Sequence, residues 1–126
     1  MTPKTIIEDL DSMMPNAYTT ADKLRWLTEL DGRVMQEIFA MHELNDGEEL
    51  PEWNEYTEDD METAELFIPA PYTEVYFYWL QSKIHYLNQE FNYYQNTHSM
   101  FNSAWNAYAN FYRRTHLPVQ VARKWF

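Results

Sequence analysis

The sequence predicts an all-α protein of about four helices: a short N-terminal helix, a longer second helix, a long acidic loop, and a C-terminal antiparallel helical hairpin followed by an extended tail. Three observations lead there. Outside residues 42–65, apolar residues recur at steps of three and four, the period of one helix face. Prolines stand at the boundaries of those periodic runs, at Pro3, Pro15, Pro69, Pro71 and Pro118. A short turn, Leu87-Asn88-Gln89-Glu90, separates the last two runs and predicts a helical hairpin. One helical domain over residues 1–118 is expected, with its acidic loop at 42–65 and a tail at 119–126.

The first helix starts from Thr2 as cap and Pro3 as first helical residue, and Ile6, Ile7, Leu10, Met13 and Met14 make its apolar stripe up to Pro15-Asn16. The second opens at Thr19 or Thr20 and carries Leu24, Leu27, Leu30, Val34, Ile38 and Met41 on one face. Trp26 and Phe39 lie off that face and predict a second contact surface. Gly32 inside the pattern weakens the helix by about 1 kcal/mol relative to Ala, or marks a close approach.

Residues 42–65 then change character, with 11 of the chain's 20 acids and no Lys or Arg. Asp46-Gly47 and Pro51 are turn signals, and the mutual repulsion of so many carboxylates predicts a long mobile loop with Leu44, Leu50, Trp53, Tyr56 and Met61 as its only anchors. Such a loop is either a protrusion that lines a channel or touches a partner, or a solvated excursion. "ELFIP" is a short extended segment closed by the Pro-Ala-Pro step. The third helix runs from Pro71 or Thr73 to about Asn88, and the fourth from about Glu90 to Thr115. In the fourth, Phe91, Tyr94, His98, Phe101, Trp105, Tyr108 and Tyr112 form one large seam. Pro118 ends the helix, and VQVARKWF reads as extended.

Composition narrows the function. The formal net charge is −11, with nine Lys and Arg against 20 acids, which is too few cations for a phosphate-binding face. There is no cysteine, hence no disulfide frame, thiolate metal site or cysteine nucleophile. The N-terminus mixes acids among its apolar residues, unlike a signal peptide, and no run approaches the roughly 20 apolar residues of a membrane span. These features predict a soluble intracellular protein. His42, His85, His98 and His116 form neither HExxH nor a Glu-x-x-His pair, and the acidic segment does not match a calcium-loop pattern. No Walker loop or GxSxG is present, so no enzyme activity, cofactor or metal is expected.

"PNAYTTADKLRWLTELDGRVMQEIF" and "LFIPAPYTEVYFYWLQSKIHYLNQEFNYYQNTHSMFNSAW" together cover most of the chain. Here the sequence resembles the small helical head-tail connector proteins of tailed bacteriophages and prophages, also called adaptors or head-completion proteins. In similar proteins a hairpin follows a Leu-x-x-Pro-x-Pro-Tyr step, here Leu66, Pro69, Pro71 and Tyr72, and turns on Asn-x-Glu-Phe, here Asn88, Glu90 and Phe91. The resemblance implies a structural virion subunit in the neck between head and tail, made in the host cytoplasm. It implies a ring of about twelve copies beneath the portal protein, extending the DNA channel and docking tail or further neck proteins.

Two groups of residues carry this expectation. The run Tyr76-Phe77-Tyr78-Trp79 cannot all face one core, because successive helical positions diverge by about 100°, so part of it is expected at a subunit or partner interface. Arg113, Arg114, Arg123, Lys124, Trp125 and Phe126 form a basic, aromatic end expected at the same kind of contact, either as an arm on a neighbour or folded back on the helices. Glu48, Glu49, Glu52, Glu55, Glu58, Asp59, Asp60 and Glu62 are the expected channel- or partner-facing acids. Negative walls would let DNA pass without specific binding. The alternative is an acidic interaction module, such as a DNA-mimicking anti-restriction or anti-CRISPR inhibitor.

Overall fold

A computed structural model describes residues 1–119 as an all-α fold of four helices, α1 (Pro3–Met13), α2 (Thr20–Glu37), α3 (Glu74–Leu87) and α4 (Phe91–Thr115). Thr2 caps α1 as the sequence predicts, and of the two openings left for α2 the structure takes Thr20, with Thr19 as its cap. Thr2 Oγ1 accepts from the Thr5 N–H and Pro3 opens α1, and Thr19 with Asp22 makes a reciprocal capping box at the start of α2. The α3–α4 turn carries Gln89 at a φ of 60°, and the Asn88 and His85 side chains bond Glu90.

The second helix stops at Glu37, four residues before the last position of the expected stripe, Met41. After Glu37 the backbone tightens into a 3-10 turn over Phe39–Met41. Tightening from 3.6 to about 3.0 residues per turn shifts the angular positions of the side chains in that turn. Phe39 therefore swings into the core against Phe67 and Tyr112, while Met41, expected on the apolar stripe, is 58 % exposed.

The core gathers Leu10 from α1, Leu27, Leu30 and Val34 from α2, Val75, Tyr76, Leu80 and Ile84 from α3, and Ile68 from the segment before α3, all at 0 % exposure. From α4, Phe101, Ala104, Tyr108 and Tyr112 join it. The expected seam of α4 holds from Phe101 onward. Its first half packs only on the end of α3, where His85 meets Tyr93 and Tyr86 meets Phe91 and Tyr94, and stays largely exposed.

Residues 42–73 do not stand clear of the helices. They begin beside the end of α4, where Glu43 N–H bonds the Leu117 carbonyl, Val119 N–H bonds the Met41 carbonyl, and His42 and Pro118 form an antiparallel bridge. They then cross α2, pass the start of α1 through the Lys4 N–H to Met61 carbonyl bond, and deliver Leu66 and Ile68 to the core. Of the five expected anchors, Trp53, Tyr56 and Met61 touch the fold, whereas Leu44 and Leu50 are exposed.

Candidate functional site

The run Tyr76-Phe77-Tyr78-Trp79 is spent largely inside the subunit. Tyr76 is fully buried, so the expectation that it meets a neighbour is corrected. Its hydroxyl donates to Asp31 Oδ1 at 2.5 Å and accepts from the Ile68 N–H at 2.7 Å. Asp31 is itself at 0 % exposure, and its other oxygen accepts from the Tyr56 hydroxyl and the Phe67 N–H. Burial raises the Asp31 carboxyl to about 6, against the opposing pull of those three donors. Their own burial and the same carboxylate push both tyrosine hydroxyls upward. One acid on α2 thus ties α3, the acidic segment and the extended 66–68 stretch together.

Trp79 is half-buried and clamps α2. Its Nε1 donates to the Trp26 carbonyl at 2.8 Å, with the Lys83 ammonium 4.7 Å and the Arg33 guanidinium 5.6 Å from its ring centre. Arg33 also lies over Phe101 and Trp105 and pairs with Glu37. Phe77 and Tyr78 meet edge to face and, like Trp79, are half-buried against the core, each with an edge left in solvent.

The acids divide into held and unheld. Glu48 pairs with His116 at 2.8 Å, which lowers its carboxyl, and His116 stacks flat on Tyr112 at 3.7 Å. Glu62 pairs with Lys4 at 2.7 Å, again lowering the carboxyl, and Asp60 Oδ1 caps the Thr57 N–H. These three serve the fold. Glu49, Glu52, Glu55, Glu58 and Asp59 are exposed and make no ion pair among the described residues.

Between α2 and residues 53–59 lies a cleft of about 710 Å³ that the sequence did not announce. Ala21, Leu24 and Thr28 make its floor, Trp53 and Tyr56 its aromatic wall, and Glu29, Glu55, Glu58 and Asp59 its charged rim, opposed by Arg25 alone. Thr28 organises that wall: its carbonyl accepts from Trp53 Nε1 and its hydroxyl from the Tyr56 N–H. Gly32 faces the Trp53 ring, and a Cβ there would meet it at 3.4 Å, ordinary van der Waals contact.

Exposed apolar side chains collect at both ends of α4. Around the hairpin turn Tyr86, Leu87, Phe91 and Tyr93 are 49–64 % exposed. At the far end Met41, Leu44, Leu117 and Val119 are 43–70 % exposed. Arg113 and Arg114 sit exposed in the last turn of α4, where cations complement the helix dipole. Arg123, Lys124, Trp125 and Phe126 lie outside the described residues.

Sequence reading missed Asp31 and the hairpin tip. A signal existed for each: Asp31 sits four residues after Leu27 and three before Val34, on the apolar stripe, and the tip residues flank the turn. Among the described residues no cluster of His, Cys, Asp and Glu could hold a metal, and no helix is long and apolar enough to cross a membrane. Comparison with protein-family models, curated proteins and solved structures finds no match.

Proposed function

We propose that this chain is a head-tail connector subunit of a tailed-phage particle, one of about twelve copies in a ring beneath the portal. The sequence resemblance raised this reading, and one geometric observation carries it further. Two unlike apolar patches, one aromatic and one aliphatic, stand about 37 Å apart at opposite ends of α4. A subunit that bridges two different partners along one axis needs that arrangement, and aromatic residues are the side chains favoured at protein interfaces. Glu49 and Glu52, exposed and free of ion pairs among the described residues, suit a channel-side face along which DNA moves without holding, and Glu55, Glu58 and Asp59 suit a partner-side face. A DNA mimic would need its carboxylates free in extended rows, and the intramolecular engagement of Glu48, Asp60 and Glu62 weighs against it.

Co-sedimentation with portal-bearing, tail-less heads tests the proposal. The wild-type chain should pellet with the heads, and Phe91→Ser with Tyr93→Ser should weaken that at least ~10-fold while the melting temperature holds, as two exposed aromatic anchors would dictate. A closed two-fold dimer that ignores such heads refutes it.

A further inference from the structure

We infer that the cleft between α2 and residues 53–59 receives the C-terminal segment QVARKWF, residues 120–126, of a neighbouring copy. The inference rests on the proposal that copies join in a ring, and it names the lateral contact. Head-to-tail contacts between unlike surfaces are the kind that close rings.

The chemistry of the two partners matches. The cleft presents Glu55, Glu58 and Asp59 without ion-pair partners among the described residues, plus Glu29, which reaches Lys83 at 3.4 Å. Its one cation, Arg25, is already bonded to Asp22 at 3.2 Å. Below that rim lie Leu24, Ala21 and the Trp53 and Tyr56 rings. The segment offers Arg123 and Lys124 beside Trp125 and Phe126, two cations and two large aromatic groups in four residues. A volume of about 710 Å³ falls within the roughly 300–1,000 Å³ of sites that enclose a compact ligand, so it has room for an aromatic anchor. Charge complementarity then sets orientation and encounter rate, and the aromatic anchors set residence.

The ring reading selects the neighbour over the same copy, because a head-to-tail contact joins unlike surfaces of adjacent subunits. Val119, the last described residue before the segment, is held at Met41 by a backbone hydrogen bond, beside the end of α4 and away from the cleft residues of α2.

The test uses fluorescein-labelled QVARKWF peptide titrated with the full-length chain, followed by anisotropy. Saturable binding at one peptide per chain is expected, at least ~10-fold weaker for a scrambled peptide and for the chain carrying Glu58→Lys and Asp59→Lys. A peptide with Arg123→Glu and Lys124→Glu should fail on the wild-type chain and bind the charge-reversed one. Both substituted positions on the chain are exposed, and circular dichroism checks that it remains folded. Equal binding of the scrambled peptide, or unchanged affinity after charge reversal, overturns the inference. Sedimentation velocity of the full chain should show mass rising with concentration, less so for the charge-reversed chain. Equal mass–concentration curves for the two chains overturn the neighbouring-copy contact. Head docking is read separately: peptide binding lost with docking kept removes this inference alone, and docking lost with peptide binding kept removes the connector reading alone.

Discussion

Asp31 should contribute less to stability at neutral pH than in mild acid, and the size of its effect derives from its surroundings. The carboxyl is fully enclosed, meets no cation among the described residues, and titrates at about 6 in the folded chain against 3.8 for the free group. Below about pH 3.8 both folded and unfolded chains hold the proton, and the contribution of this group is fully present. Between about 4 and 6 the folded chain keeps a proton that the unfolded chain has released, so stability falls as pH rises. Two units of raised pKa correspond to about 3 kcal/mol, complete by pH 7. Other carboxylates act oppositely at the acid end, so the effect is isolated by Asp31→Asn, which does not titrate. Urea unfolding followed by circular dichroism at pH 4, 5, 6 and 7 measures both chains. At pH 4 the variant should be the weaker, having lost an acceptor for the tyrosines, by about 1–3 kcal/mol. By pH 7 the difference should have moved about 3 kcal/mol in the variant's favour. A difference that stays constant within about 0.5 kcal/mol over this range refutes the burial account and means that the donors from Tyr56, Tyr76 and Phe67 compensate desolvation in full.

Gly32→Ala should stabilise the chain by about 0.5–1 kcal/mol, since the added Cβ meets Trp53 at ordinary contact distance, whereas Gly32→Leu should displace that ring and destabilise; urea midpoints and tryptophan emission read both. Trp53→Ala removes the indole bond to Thr28 and should lose about 1–3 kcal/mol while speeding Glu-specific cleavage between residues 52 and 58; unchanged cleavage would mean that Tyr56 holds the segment alone. Glu48→Gln should lower the melting temperature at pH 7, and the deficit should shrink as pH falls through the folded-state pKa, because a lowered pKa contributes in full above the unfolded value and is lost as pH falls through the folded one. A deficit that does not change at all as pH is lowered would assign the effect to packing around His116 instead.

Much of the helical frame was legible locally. The Thr2 cap, the start of α2 to within one residue, the proline boundaries, the hairpin turn at Asn88-Glu90 and the stripes of α1 and of α2 up to Val34 come from backbone hydrogen-bonding needs and a period of 3.6, which neighbours in sequence determine. The end of α2 was not legible, because Phe39 leaves the helical register to pack on Phe67 and Tyr112, residues 28 and 73 positions away. Net charge and the crowding of acids in residues 42–65 were plain from composition, but their consequence was not. Charge repulsion alone predicts a loop held away from the helices. Thr28, Asp31, Lys4 and His116, distant in sequence, supply the hydrogen bonds and ion pairs that hold it down.

The aromatic run at 76–79 shows the division most clearly. The sequence by itself determined that four rings diverge around a helix and cannot share one face. Only the tertiary structure decided where each one goes. Tyr76 turns inward because a buried acid 45 positions earlier needs its hydroxyl, and Trp79 stays at the boundary because the Trp26 carbonyl and two cations meet it there. Phe77 and Tyr78 find no such partner among the described residues and remain half-buried against the core. Periodicity is a property of adjacent residues and survives in a one-dimensional reading. The satisfaction of a buried polar atom depends on what the fold brings within about 3 Å of it, and that is set only when the helices pack.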